Sequence, residues 1–425
     1  MTRRTLLVPL FAAAFVLAPS ELSGQVIPLS EVFLVSPRSY GSNLPGSYTT
    51  KIPTAAALAD GSFVVSWGED LEVIPPGEPS VPFFDLYARK IDATGTPGQL
   101  VRVDRGRLES VETERRPVFP ELAADGQGGF VLAWGRFRFK GSDVLFQTVP
   151  PGELLHPGGR LLHKPKNDSW EGLPSVAANE AGDWVLAWNI GDETLGVSGG
   201  GVGVRAFQAS GKPATAEIRI TSPDPDVYLV RPRVAIQQDG SFMVIWGAFV
   251  SGGGMQTLQG RTFAANGKPL SKVFQIGQGM NAWEVVNGDP ETGEFLVAWQ
   301  KDTGYYGPRI HLRHYSARGR GFGLAELSYA GGLRQWRLTS NHLGDLAFLW
   351  VDASGGVLVR LLDSEGAPQE PPFVVTGVSD NPWIGDLTIS DTGKIFAVWI
   401  GPLEVTTPGG ATHLPLLGRL WEVQD

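Results

Sequence analysis

The sequence predicts an all-β fold, a seven-bladed β-propeller of four-stranded blades, on three observations. First, a glycine six residues ahead of a tryptophan recurs seven times, at Gly61/Trp67, Gly128/Trp134, Gly182/Trp188, Gly240/Trp246, Gly293/Trp299, Gly344/Trp350 and Gly393/Trp399. Repeats of roughly 40–60 residues in a β-rich chain point to a propeller. Second, 55 Gly and 32 Pro in 425 residues supply turns, while 13 Trp and a mean hydropathy of −0.03 supply packing. Neither a disordered chain nor a helical bundle has that balance. Third, the segment at 28–35 (PLSEVFLV) matches the one at 269–276 (PLSKVFQI) but has no complete copy before it.

Each repeat divides into four strands by its turn chemistry. The first reads as Pro53 onward, Pro120 onward, Pro174 onward and Pro232 onward, and ends at hairpin dipeptides such as Asp60-Gly61 and Asp239-Gly240, which favour tight turns. The second is the segment ending in Trp, apolar on both faces and therefore expected to be buried on both. The third carries Arg89, Arg205, Arg261, Arg313, Arg360 and Arg419 in an alternating pattern, as a half-exposed strand does. Six identical positions imply a repeat-level role, an ion pair or a carbonyl contact between strands. Gly95, Gly211, Gly267, Gly319 and Gly366 follow six residues beyond the Arg in five of these copies, and the fourth strand comes after that turn.

The seventh copy stops at Asp425 without a fourth strand. The copy at 28–35 can supply it, so residues 26–36 are expected to pair with 417–424 and close the ring without an open edge. One propeller domain then spans 26–425. Ahead of it, Arg3 and Arg4 precede an apolar run at 6–18, too short to span a bilayer. This reads as a signal peptide at 1–20, with 24 as the alternative end, and leads to a secreted or periplasmic location. No later run is long and apolar enough for a membrane helix.

The pattern Asp-Gly-x-Phe-Val-Val-x-Trp, followed by Val-x-x-Arg-x-Phe-x-x-x-Gly-x-Pro, resembles the repeats of large secreted and cell-surface bacterial proteins, including adhesin-like and toxin-like ones. That resemblance covers the mature chain and implies location and fold more than activity. The copy at 120–163 departs from it, with Phe146 in place of the Arg, and an irregular third strand is expected there. Two other propeller signatures are absent: Ser390-Asp-Thr-Gly393 has the wrong spacing for a sialidase Asp-box, and no Trp-Asp repeat occurs.

Residues that carry chemistry should be those that break the repeat. The seven strand-end tryptophans are read as packing between blades. Trp170, Trp283, Trp336 and Trp383 instead fall at or just before innermost strands, where they either stack on a sugar or close the neck of the ring. The longest connections are 68–84, 189–202 and 400–417, then 247–259 and 300–308, all on the face of the channel mouth. They place Glu69, Asp70, Asp192, Asp302 and Tyr305 there as ligand-binding candidates, and paired carboxylates can do acid–base work on a glycosidic bond. Asp70, Asp192, Asp224, Asp226 and Asp302 offer oxygen ligands for calcium on expected loops, although no Asp-x-Asp-x-Asp-Gly loop is present. The six histidines form no metal motif, and no resident metal or other cofactor is expected.

A net charge of −9 and a pI near 5.3 speak against nucleic acid as a partner. The absence of cysteine removes disulfides, thiolate sites and cysteine nucleophiles. The expectation is a monomeric, non-catalytic propeller that binds a protein or a glycan at the cell surface through its loop-rich face. The rival reading is a glycan hydrolase or lyase with carboxylates at the channel mouth. A pocket that brings two titratable groups within roughly 5–10 Å would favour the rival.

Overall fold

A computed structural model describes residues 25–41, 53–73, 81–105, 115–138, 141–153, 155–162, 171–191, 200–250, 257–278, 280–288, 290, 292–302, 308–328, 333–352, 354–376, 383–401, 405–406 and 412–424. The signal-peptide assignment at 1–20 lies outside them. Among the described residues every regular element is a strand, and no helix is long and apolar enough to cross a membrane. Seven antiparallel sheets form a seven-bladed propeller. The first blade runs outward through Thr54–Ala57, Phe63–Val73, Val81–Ile91 and Pro97–Arg105. The innermost strands of the next six blades are Arg115–Ala124, Glu171–Ala178, Val227–Ile236, Met280–Asn287, Leu333–Ser340 and Trp383–Ile389. Each innermost strand touches its neighbours around the axis, and the seventh touches the first.

The second strands hold the core, as their unbroken apolar runs require. Period-two alternation sends one set of side chains to each neighbouring blade. Trp184, Leu186 and Trp188 pack backward on Val131, Ala133 and Phe146 of the second blade, while Val185 and Ala187 pack forward on Phe242, Val244 and Trp246 of the fourth. The same division recurs at all seven junctions, and each repeat tryptophan lies against the preceding blade.

The repeated arginine makes a carbonyl contact, one of the two roles expected. Arg205 Nε donates to Thr215 O and Arg261 Nε to Ser271 O, each at 3.2 Å. The guanidinium also lies over the aromatic ring two residues on, 5.6 Å from Phe207 and 5.5 Å from Phe263. The third strand of the second blade, expected to be irregular, is regular instead: Gly141–Val149 pairs with Phe130–Arg138 along its whole length. Phe146 is buried against Trp184 and Phe207 at 5.1 and 5.5 Å, and Arg160 brings a cation to its ring from the fourth strand at 5.7 Å. Irregularity falls on that fourth strand, which shrinks to Arg160–Leu161.

Closure follows the expected pairing and extends it. Thr412–Gln424 pairs with Lys394–Ile400 on one side, and on the other with Gln25–Pro28 and Phe33–Gly41. The connections read as long loops are largely hairpin arms. Within 68–84, Gly68 to Val73 pair with Leu86 to Val81; within 400–417, Val405 and Thr406 pair with His413 and Thr412.

Candidate functional site

The residue opposite the one before each repeat tryptophan occupies one layer of the innermost strands, at the channel mouth. Around the ring it is Thr54, Glu121, Ser175, Arg233, Glu284, Arg337 and Asp386, paired with Ser66, Ala133, Ala187, Ile245, Ala298, Leu349 and Val398. Seven structurally equivalent positions thus carry residues of five types. Arg233 and Glu284 lie 2.9 Å apart, Arg337 and Glu284 3.6 Å, and Arg337 and Asp386 3.7 Å. Glu121 joins across the third blade, where the layer holds only Ser175, and meets Arg233 at 3.5 Å. Asp386 closes the arc to the first blade, accepting from Thr54 Oγ1 at 3.1 Å and Ala55 N at 2.9 Å. The chain of charge therefore reads carboxyl, guanidinium, carboxyl, guanidinium, carboxyl.

β-Bulges aim these side chains. Six of the seven innermost strands have one extra residue just before the layer, as between Val118 and Glu121 or Val230 and Arg233. A bulge turns the strand and redirects its side chains. In the second to fourth blades it forces Phe119, Leu173 and Arg231 to φ of 51°, 47° and 52°, a region non-glycine residues seldom enter.

The layer floors a cavity of about 640 Å³, whose walls include Phe119, Phe137, Leu173, Asn189, Arg231 and Trp283. That volume is ordinary for a small-ligand site. Phe119 and Phe137 meet edge to face at 6.3 Å. Below the layer the channel continues into a space of about 200 Å³ whose lining includes Ala55 to Ala59, Ala123, Ala124, His342 and Asp391.

Burial and the ring's own charges set its protonation. Burial pushes the Glu121 carboxyl up to about 7, since Arg233 offsets the loss of water only in part and Glu284 and Asp386 add repulsion. About a third of its side-chain surface, 32%, still meets channel water. Burial likewise raises Asp386, against the pull of Arg337. For Arg233 burial opposes the charge, but Glu284 and Glu121 outweigh it and hold the guanidinium above its usual range. A carboxyl that titrates near neutrality beside a fixed cation is suited to proton transfer.

Of the residues singled out in the sequence, Trp283 borders this cavity, at 5% exposure, with its Nε1 donating to Arg231 O at 3.0 Å. Trp336, 3% exposed, donates to Gln300 Oε1 at 3.1 Å. Both indoles are fastened between elements. Glu69 is buried and accepts from Trp67 Nε1 at 3.0 Å and Ser36 Oγ at 3.1 Å. Asp70, Asp302 and Trp383 lie in strands, paired with Phe84, Pro308 and Ile400. Trp170, Asp192 and Tyr305 fall outside the described residues. Asp224 accepts from Asp226 N at 3.0 Å in an exposed turn. Among the described residues no group of three or more His, Asp or Glu is placed to hold a metal ion. Five charged members of the layer were missed: Glu121, Arg233, Glu284, Arg337 and Asp386. Counting back from the tryptophan would have found four of them, because Glu121, Arg233, Arg337 and Asp386, like Thr54 and Ser175, each precede it by 13 residues.

No protein-family model and no curated protein matches the sequence. Among solved structures, the polysaccharide lyase Uly1 is similar with a TM-score of 0.55 at 10% identity, covering 94% of this chain and 100% of that one. An α-L-arabinanase of Penicillium chrysogenum complexed with arabinobiose gives 0.45 at 14%, covering 80% and 100%. A protein of unknown function from Dyadobacter fermentans gives 0.44 at 12%, covering 94% and 99%. At such identities the likeness to the lyase is one of fold.

Proposed function

We propose that the protein is a glycan-active enzyme that works at the channel mouth, with Glu121 as its proton-transferring group. One observation carries the reading: Glu121 and Glu284 flank the single guanidinium of Arg233, at 3.5 and 2.9 Å, on the floor of one cavity. Two carboxyl groups that share a guanidinium are close neighbours, as two-carboxylate glycoside chemistry requires. Glu121, pushed up to about 7, retains a proton for the leaving oxygen. Glu284, between two arginines, faces the positive charge that develops on the sugar ring. The aromatic wall of Phe119 and Phe137 gives the C–H face of a sugar a surface to stack on. A polysaccharide lyase of the same fold is compatible with this reading, which fits the cavity better than a non-catalytic binding surface does.

The test is turnover of a polysaccharide panel by wild type and Glu121→Gln, read as released reducing ends and unsaturated products, beside a glycan array. Wild-type turnover that falls about 10²–10⁴-fold in the variant, with array binding retained, supports the proposal. Array binding without wild-type turnover on any member overturns it in favour of the non-catalytic reading.

A further inference from the structure

Glu121 and Arg233 meet across the third blade, over Ser175, so their contact depends on how the strands beneath them are aimed. Each of these three layer residues follows a proline and, before it, a left-handed residue: Phe119-Pro120-Glu121, Leu173-Pro174-Ser175 and Arg231-Pro232-Arg233. In the fifth to seventh blades Trp283, Trp336 and Gly385 stand where the proline does. Proline has no N–H and a locked φ, so it fits a bulge, whose extra residue lacks a ladder partner. A non-glycine residue at positive φ is strained and persists where its surroundings over-determine it.

For Arg231 those surroundings are two side chains that grip its main chain. Its N–H donates to Asn189 Oδ1 at 2.8 Å and its carbonyl accepts from Trp283 Nε1 at 3.0 Å. Asn189 is 4% exposed and also donates Nδ2 to Leu229 O at 3.3 Å, so its amide brackets the chain from 229 to 231. It breaks the repeat, since after their tryptophans the other blades carry Gly68, Gly135, Gly247, Gln300, Val351 and Ile400. Trp283 immediately precedes Glu284, and its ring lies over Gly247, where a Cβ would come within 2.6 Å of Cη2. The indole thereby ties the strand that carries Glu284 to the one that carries Arg233. On the far side of Arg233, Val234 N donates to Ser175 Oγ at 3.3 Å.

The seat matters because one guanidinium serves two carboxyls by different edges. Nε is hydrogen-bonded to Glu284 at 2.9 Å, whereas Nη1 faces Glu121 at 3.5 Å, beyond ordinary hydrogen-bond range. A displaced Arg233 is therefore felt first at Glu121. The other charges facing Glu121 are Glu284, Arg337 and Asp386 of the layer, with Glu171 of the third blade on the same cavity.

Resting on the proposed glycan activity, we infer that Asn189 and Trp283 are positioning residues of the site: by holding the strained main chain of Arg231 they seat Arg233 between Glu121 and Glu284, and so decide how strongly Glu121 keeps its proton.

The test follows the Glu121 carboxyl by NMR of protein labelled in its glutamate carboxyls, the signal being assigned by its absence from Glu121→Gln, beside the pH profile of kcat/KM. Asn189→Ala and Trp283→Phe, which keeps a ring and removes the donor, should each raise the Glu121 midpoint by about half a pH unit or more, roughly a threefold change in its proton equilibrium. The falling limb of kcat/KM should move with it. Arg231→Gly added to Asn189→Ala should bring the midpoint back toward wild type, because glycine takes a φ of 52° without strain. Arg231→Ala, which removes the same side chain and keeps the strain, should not, and equal return with both overturns the inference. Asn189 and Trp283 variants that melt lower with an unmoved midpoint also overturn it while leaving the proposed activity standing; so does a midpoint that Arg233→Gln leaves in place. A midpoint that moves as expected in a protein that turns over no polysaccharide keeps the seating of Arg233 and overturns the activity.

Discussion

Arg419 donates its Nε to the carbonyl of Ser30 at 3.2 Å across 389 residues of chain, the bond that Arg261 makes to Ser271 ten residues away at the same distance. The backbone repeats the likeness: Leu420 N donates to Ser30 Oγ and Thr262 N to Ser271 Oγ, each at 3.0 Å. The N-terminal segment is thus the fourth strand of the seventh blade in its hydrogen bonds as well as its sequence. Deleting residues 26–36 should expose the edge of Thr412–Gln424, a template for pairing with other chains. A large drop in melting temperature and light-scattering aggregates are expected, measured against protein lacking only residues 1–20. A deletion protein that melts unchanged and runs as a single species would refute the closure.

Trp246 is fully buried against the third blade, among Val185, Ala187 and Val204, and donates Nε1 to Gln259 Oε1 at 3.2 Å. Trp246→Ala should cost about 3–5 kcal/mol by cavity formation in a core shared by two blades. Leu324→Ser, at a position 65% exposed on an outer strand, should change stability by less than about 0.5 kcal/mol. Denaturant midpoints of the two variants check the contrast, and equal losses would mean that the junctions are not the core.

The repeat made the fold legible because its signals are local. Gly240 occupies a left-handed turn position at φ 79°, and Trp246 sits six residues on. The same sameness hid the site. Searching for sequence that breaks the repeat drew attention to the connections, where Asp70 and Asp302 prove to lie in extended hairpin strands. The charged layer breaks it inside the innermost strands, in single residues that look unremarkable one blade at a time. Glu121 meets Arg233 only because the ring brings the second and fourth blades together over the small Ser175, and no local spacing encodes that contact. Glu284 was harder still, since its hairpin is two residues longer and places it 15 residues ahead of Trp299.

At the opposite end of the channel His342 Nδ1 and Asp391 Oδ2 lie 3.1 Å apart, joining the sixth and seventh blades. Burial opposes the charged imidazole, but the bond and charge of Asp391 outweigh it and raise His342 above its usual 6.5. Burial likewise opposes the carboxylate, and His342 outweighs it, so Asp391 falls below 3.8. The histidine contribution is full below 6.5 and fades as pH rises through its raised value; the aspartate contribution is full above 3.8 and fades as pH falls through its lowered value. The pair therefore stabilises most between those limits. His342→Gln should lose about 1 kcal/mol at pH 5.5 and less at pH 9, by urea unfolding. A loss that grows toward pH 9 would contradict the pairing.

Glu121 has the opposite linkage, because its folded value near 7 lies above the ordinary 4.5. Between those limits the folded protein keeps a proton that the unfolded chain releases, so stability falls as pH rises from 4.5 to 7 and stays lowered beyond. Glutamine holds its hydrogens at any pH, and Arg233 retains Glu284 at 2.9 Å without Glu121. Glu121→Gln should therefore melt above wild type at pH 8 and level with it at pH 4, while turnover is lost. With Glu121 in the proposed role, kcat/KM should fall as pH rises through about 7, reporting the free enzyme. Arg233→Gln removes the cation that holds the carboxyl down, so this limb should move to higher pH in that variant, whatever the absolute rate. Calorimetric melting at the two pH values and a pH–rate profile for each protein check both claims. If Glu121→Gln melts below wild type at pH 8, the charge of Glu121 braces the ring through Arg233, and its assignment as proton donor fails.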